Sequence, residues 1–407
     1  MKSFLLATLM LFTLQSNSQD FWEEIGTPDI DDKIINSCLA INHDSIILGT
    51  SSFSTNGGLY STNNSGESWN FHDLTPYNDH GYSTSYYNGC VYAFIDGSFF
   101  KKESATIDWV NIGNDHRAGP MVFINDNTIF KGHGEGINKS TDGGYTWERV
   151  YSTHPNESVE TIVQHPNGDL FFGTYTFDAN AVPGVYRSTD TGETWGRIGL
   201  ERNQILSLAV DSNGALYAGS IGEEFTAIGG VYKSEDLGVT WDTLVQYMGV
   251  RSLVVTSGDT IFAGTNLGVH SSADEGNSWT EINSGLSRLD VRELSLGGDG
   301  HIYAIIDGSE DMLFRSTTAV TGIGGKPEST EPAISLYPNP ASSQLHISVN
   351  GQHQPAGVAI INMQGQILAQ QTLQLPGTIT IGHLPTGIYM LRLQTEATIY
   401  TQQFIKN

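Results

Sequence analysis

Ser188-Thr-Asp190-Thr-Gly192-Glu-Thr194-Trp195 is an eight-residue turn closed by a tryptophan, and the chain writes it five times. The other copies are Thr62-Asn-Asn64-Ser-Gly66-Glu-Ser68-Trp69, Ser140-Thr-Asp142-Gly-Gly144-Tyr-Thr146-Trp147, Ser234-Glu-Asp236-Leu-Gly238-Val-Thr240-Trp241 and Ser272-Ala-Asp274-Glu-Gly276-Asn-Ser278-Trp279. Each residue type has a mechanical task. Asp or Asn accepts hydrogen bonds from backbone N–H groups of its own turn, glycine permits a positive φ, and the hydroxyls bond locally. The tryptophan covers the hairpin with a large apolar face. Asn64, Asp142, Asp190, Asp236 and Asp274, with Trp69, Trp147, Trp195, Trp241 and Trp279, therefore read as structural staples, not as metal or catalytic sites.

All seven tryptophans fall at this position of the pattern, at spacings of 47, 40, 38, 48, 46 and 38 residues. That is the period of a four-stranded propeller blade. Trp109 follows a worn copy, Lys102 to Asp108, without the Asp and Gly, and Trp22 has no box before it. The clearest cycle runs through a strand at 205–210, the turn Asp211-Ser-Asn-Gly214, a strand at 215–219, a variable loop, a strand at 230–234, the box, and an outer strand at 241–245. Similar cycles cover 34–72, 81–112, 119–151, 159–199 and 250–283. A seventh begins at Val291 and stops near Thr317 without box or tryptophan. Its missing strand is Phe21-Trp-Glu-Glu-Ile-Gly26, which matches Asp108-Trp-Val-Asn-Ile-Gly113. The expectation is an all-β chain with a seven-bladed β-propeller closed by an N-terminal strand, which hides its open edges.

Nineteen Lys and Arg against 44 Asp and Glu give a net charge of -25, which argues against nucleic-acid binding. Acidity leaves room for Ca²⁺ without predicting it, so no cofactor and no metal site are assigned. Residues 1–18 carry Lys2, an apolar run from Phe4 to Leu14, and small residues Ser16 and Ser18, the pattern of a signal peptide cut before Gln19. No other apolar stretch is long enough to span a bilayer. Cys38 and Cys90 fall on strands of neighbouring blades and are read as buried free thiols, with a disulfide as the alternative. The expected division is a signal peptide (1–18), a propeller (19–317), a Gly-, Pro-, Ser- and Thr-rich linker (318–332) and a small Ig-like β-sandwich (333–407) of short strands. A monomer is expected.

The boxes resemble the Asp-box (BNR) repeats of sialidases, xyloglucan-degrading glycosidases, sortilin-type receptors and photosystem II assembly-factor-like propellers, over residues 20–320. Those families include both hydrolases and pure binding proteins, so the resemblance implies a fold and not a reaction. The last domain resembles the type A C-terminal sorting domain of the Bacteroidetes type IX (Por) secretion system. The residues that carry this are Leu336-Tyr337-Pro338-Asn339-Pro340-Ala341, Asn362-Met-Gln-Gly-Gln366, Leu384-Pro-Thr-Gly387-Ile-Tyr389-Met-Leu391 and Phe404-Ile-Lys406. The resemblance implies two-step export, with the secretion machinery as partner, to the outer cell surface or the medium.

Aligning the cycles on the second-strand glycines Gly49, Gly132, Gly173, Gly219 and Gly264 places Asn36, Gly81, Gly119, Glu160, Leu206, Arg251 and Arg292 in one column near the channel mouth. Arg251 and Arg292, with Arg117 upstream of its own column member and Glu160 across the ring, are the candidate ligand-binding residues. Convergent guanidinium groups suit a carboxylate or sulfate, while internal salt bridges across the channel are the competing reading. Loops on the same face add Asp73, Asp79, His80, Asp115, His116, Asp178, Glu223, Glu224, Asp307 and Asp311. Arg117, Arg251 and Arg292 can be drawn as a sialidase arginine trio, but the Arg-Ile-Pro start motif is missing and no tyrosine nucleophile stands out. HExxH, paired CxxC and GxSxG are absent, and Gly132-His-Gly-Glu-Gly136 opens no helix. The sequence supports a secreted or cell-surface propeller that binds a glycan or protein without catalysis. A sialidase-like or xyloglucanase-like glycoside hydrolase is the alternative.

Overall fold

The structure, a computed structural model, describes residues 20–30, 32–52, 58–74, 83–95, 97–103, 108–114, 119–222, 229–246, 249–320, 334–337, 341–349, 355–362, 367–394 and 399–407. The proposed signal peptide, Arg117, Gly81, Asp79, His80, Asp115, His116, Glu223, Glu224, most of the linker and Pro338-Asn339-Pro340 lie outside the described residues. The chain divides into two compact units between residues 325 and 326.

The first unit is all-β and holds seven four-stranded antiparallel sheets. Six follow the chain directly, over 33–72, 83–114, 121–152, 157–199, 205–246 and 250–281. The seventh takes three strands from 291–316 and its outer strand from Trp22–Ile25, which pairs with Met312–Ser316 in the register Trp22 to Ser316 and Ile25 to Leu313. Trp22 is 2% exposed, and its indole N–H donates to the Ile282 carbonyl of the sixth sheet at 2.6 Å. Ile25, Tyr303, Ile305 and Leu313 of the seventh sheet share one cluster with Ile35, Cys38, Ile46 and Leu48 of the first, so the sheets form a closed, propeller-like ring. The strand that was missing from the seventh cycle is supplied from the N-terminal side.

A steric reason explains why the second-strand glycines served to align the cycles. A Cβ on Gly132, Gly173, Gly219 or Gly264 would lie 2.5, 2.5, 2.7 or 2.8 Å from a methyl carbon of Val159, Ile205, Val250 or Val291, the fully packed residue of the next sheet's innermost strand. Only glycine leaves room for that β-branched neighbour.

The boxes fold as self-satisfied turns. In the third sheet Ser140 Oγ donates to Asp142 Oδ1 at 2.8 Å and accepts from Gly144 N at 2.8 Å. Asp142 takes the backbone N–H of Thr146 at 2.9 Å and its hydroxyl at 2.6 Å. The Trp147 indole N–H then donates to the Gly144 carbonyl at 3.0 Å. Asp190, Asp236 and Asp274 make the same contacts. Asn64 reverses one of them, its amide donating to Ser68 Oγ at 2.9 Å. Both cysteines are free, with Cys38 buried and Cys90 half-buried rather than buried as expected.

The second unit packs a three-stranded sheet (Ile334–Tyr337, Gln344–Val349, Gly377–Thr380) with a four-stranded one (Ile367–Gln374, Pro355–Asn362, Gly387–Gln394, Ile399–Lys406) around a core that includes Leu345, Val358, Leu391 and Phe404. Tyr337 closes the first strand and Gly387 opens another, in register with Lys406. The Tyr389 ring stacks on Phe404 with centroids 5.7 Å apart, and its hydroxyl donates to the Pro385 carbonyl at 2.9 Å. Among the described residues no helix is long and apolar enough to cross a membrane.

Candidate functional site

The column read from sequence turns out to be a set of β-bulges. The innermost strands of the first, fourth, fifth, sixth and seventh sheets each break register at one residue: Asn36, Glu160, Leu206, Arg251 and Arg292. Each extra residue has no partner opposite it, and a bulge of this kind turns a side chain out of the pleat. The residue before it, Ile35, Val159, Ile205, Val250 or Val291, is buried between sheets. In these five sheets the backbone thus presents one variable side chain and locks the residue before it in the core. Gly119 lies against the Gly132 carbonyl with no space for a side chain.

The two arginines of this column are engaged. Arg251 Nη1 lies 2.7 Å from Asp290 Oδ1 and 3.7 Å from Asp307 Oδ2. Arg292 places Nη2 2.8 Å from Asp307 Oδ1 and Nη1 2.8 Å from Asp311 Oδ2. Two guanidinium groups thus face three carboxylates, and the cluster has the internal pairing of a seal more than the free positive fork that an anion needs. Asp311 is buried, and desolvation raises its pKa above the usual carboxylate value. Sequence reasoning named Asp307 and Asp311 as loop residues but did not pair them with these arginines.

Glu160 stands apart from the arginine cluster. It is exposed, accepts a short hydrogen bond from Ser158 Oγ, and lines a cleft of about 600 Å³ with Asn156, Tyr175, Phe177 and Asp178. Phe177 is 76% exposed, and its ring meets Tyr175 edge to face with centroids 4.6 Å apart. Asn156 Nδ2 donates to Asp178 Oδ2 at 3.0 Å. Hydrogen bonds from the Asn180 backbone N–H and the Asn156 amide hold the Asp178 carboxyl below its usual pKa, so it is ionised at neutral pH. The cleft combines an aromatic platform, an amide, a hydroxyl and two carboxylates. Sequence reasoning found Glu160 and Asp178 but missed Phe177, Tyr175 and Asn156; an aromatic pair in a variable loop beyond a strand end was the available signal. Among the described residues no group of three or more His, Cys, Asp and Glu is placed to hold a metal ion.

Residues 335–407 match the family model of the secretion system C-terminal sorting domain. This is the type IX sorting domain, and it implies contact with that secretion machinery and export to the cell surface or the medium. No protein of curated function matches the chain. Solved structures similar to it include the extracellular domain of a hybrid two-component system from B. thetaiotaomicron, with TM-score 0.59, 14% identity, and coverage of 94% of this chain and 52% of that one. The GH74 xyloglucanase from Xanthomonas campestris aligns with TM-score 0.55 and 13% identity over 94% of this chain and 67% of its own. PorZ, a surface component of the type IX secretion system of Porphyromonas gingivalis, aligns with TM-score 0.41 and 15% identity over 90% of this chain and 68% of its own. The chain spans about half the length of the two-component domain, and at such identities the likeness is one of fold: propeller-like, with a type IX sorting domain at residues 335–407.

Proposed function

We propose that the protein is a secreted or cell-surface binding module, a seven-bladed Asp-box propeller carried out by its Ig-like sorting domain, and that it holds a glycan in the Glu160 cleft. The observation that supports this reading is the Phe177 and Tyr175 platform beside Ser158, Asn156, Glu160 and Asp178. A sugar ring offers an apolar face to an aromatic side chain while its hydroxyls bond the surrounding amide and carboxylates. Arg251 and Arg292 serve here as the braced wall of the mouth.

The test is binding of the purified propeller to a glycan array, followed by calorimetry on the best ligand. Phe177→Ala should weaken binding roughly ten-fold or more with the melting temperature unchanged, since an exposed ring contributes to ligand and not to core. Binding that survives Phe177→Ala and Glu160→Gln places the ligand elsewhere. One observation favours a glycoside hydrolase as second reading: Glu160 and Asp178 bring two carboxylates to a single cleft, the minimum set for such chemistry. Release of reducing sugar from β-glucans or sialosides, abolished by Glu160→Gln and by Asp178→Asn, would establish that reading instead.

A further inference from the structure

Six of the seven indole N–H groups donate to a backbone carbonyl. Trp22 bonds Ile282, Trp69 bonds Gly26, and Trp147, Trp195, Trp241 and Trp279 bond the glycine of their own box. The Trp109 Nε1 is buried with no acceptor among the described residues. A buried, unpaired donor costs about 1–3 kcal/mol, so its position calls for an explanation.

The worn box supplies one. Every intact box sets its glycine into the groove against the preceding sheet: Gly66 against Ile25, Gly144 against Phe99, Gly192 against Phe130, Gly238 against Ile198 and Gly276 against Leu244. At the junction of the sixth and seventh sheets Phe21 and Val320 pack into the same cluster instead. The second sheet has Lys102 and Asp108 where the box would begin and end, and no box glycine. Between the first and second sheets there is a pocket of about 450 Å³, lined on one side by Trp109, Lys102 and Tyr86 and on the other by His72, Asn63 and Asn70.

In a chain with 44 Asp and Glu, none of the described lining residues is acidic. The Lys102 ammonium lies 5.8 Å from the centre of the Trp109 ring and has no carboxylate partner among the described residues. His72 meets Trp109 edge-on at 6.0 Å, bonds Ser61 Oγ at 2.7 Å, and is kept neutral by burial and by Lys102. A flat aromatic wall, three amides, a half-exposed tyrosine and a single unpaired cation are therefore assembled with no opposing charge among the described lining residues.

We propose that this groove is a saccharide site for an acidic sugar unit. The sugar's apolar face stacks on the Trp109 indole, its carboxylate or sulfate pairs with Lys102, and its hydroxyls bond Asn63 and Asn70. This inference rests on the reading of the chain as a glycan-binding module, but not on the Glu160 cleft.

The experiment titrates the full chain with hexagalacturonate, a sulfated carrageenan hexasaccharide and neutral cellohexaose, and follows the indole N–H resonance that disappears in Trp109→Phe. The acidic oligosaccharides should shift that resonance, and the stronger of the two identifies the carboxylated or sulfated source. Lys102→Met should weaken their binding roughly ten-fold, the scale of one desolvated charge contact, with cellohexaose and the melting temperature unaffected. Equal binding of cellohexaose that Lys102→Met leaves unchanged overturns the acidic class. A Trp109 resonance that stays still, with binding lost in Phe177→Ala, overturns the groove and leaves the cleft reading standing. An unmoved resonance and no saccharide bound anywhere overturns both.

Discussion

Asp311 Oδ2 receives the Arg292 Nη1 at 2.8 Å and the Ile35 backbone N–H at 2.8 Å, and those two donors lie on opposite sides of the junction where the seventh sheet meets the first. The Asp311 backbone N–H also donates to the Lys33 carbonyl at 3.0 Å, so one residue ties both ends of the ring. Asp311→Ala would leave a buried N–H and a guanidinium arm without their acceptor. The expected loss is about 3 kcal/mol, read from the urea midpoint. Asp311→Asn keeps an acceptor oxygen for Ile35 and should lose less. Equal losses would show that only the charge matters at this junction.

The box carboxylates predict a second, pH-dependent effect. The Thr194 hydroxyl, then its backbone N–H, hold the Asp190 carboxyl down to about 2, and Thr240 does the same for Asp236. Asp142 and Asp274 are lowered by the same contacts from Thr146 and Ser278. A depressed carboxylate stabilises the fold above its unfolded value near 3.8, and that contribution is lost as pH falls through the folded value. These groups are exposed, so solvent keeps each effect small and the four add to a slope rather than a step. Thermal melts should fall from about pH 4 toward pH 2, and a variant with Asp190→Asn and Asp236→Asn should fall less steeply.

The fold was legible because its signals are local. A box needs only its own eight residues, and Trp22 declared the outer strand of the seventh sheet by matching Trp109 in the sequence around it. The column of Asn36, Glu160, Leu206, Arg251 and Arg292 was also legible, through glycines that are fixed by the next sheet's Val or Ile. The partners of those residues were not. Asp290 and Asp307 reach Arg251 across the gap between two sheets, a relation set by packing and not by spacing. The groove at Trp109 had a visible trace, the lost Asp and Gly between Lys102 and Asp108, but which side chains of the first sheet face Trp109 is set by packing and not by spacing.

Gly192 tests whether the box glycine serves the turn and the groove at once. Its φ is +79°, and a Cβ there would lie 2.2 Å from Phe130 Cε1 of the preceding sheet. Gly192→Ala should therefore cost about 2–4 kcal/mol, combining left-handed backbone strain with overpacking. Gly196, one residue past the tryptophan, has nothing within 4 Å of the corresponding position. Gly196→Ala should leave the unfolding midpoint within about 0.5 kcal/mol of the parent. A similar small change for Gly192→Ala would mean that the turn relaxes freely and is not a plug.

Glu293 predicts an opposite pH trend at the ring's seam. In the residue after the bulge, neighbouring sheets use a hydroxyl to clip the next sheet: Thr161 Oγ1 accepts from Leu208 N at 3.1 Å, Ser207 Oγ from Leu253 N at 2.9 Å, and Ser252 Oγ from Leu294 N at 3.0 Å. Ser37 bonds Thr84 Oγ1 at 3.3 Å in the same position. The seventh sheet has Glu293 there, and its charge acts on Cys38 of the first sheet, whose thiol is pushed up chiefly by burial. Desolvation raises the Glu293 carboxyl to about 8, against a smaller opposing pull from Arg292. A raised carboxyl stabilises the fold fully below its unfolded value near 4.5, and that stability is lost as pH rises toward and through about 8. The wild-type melting temperature should decline between those limits, whereas Glu293→Gln, which cannot ionise, should hold level and exceed wild type at alkaline pH. Glu293→Ser should do the same by restoring the hydroxyl that the other junctions use. Parallel pH profiles for all three proteins would mean that channel water solvates the carboxylate well enough for it to ionise as an ordinary glutamate.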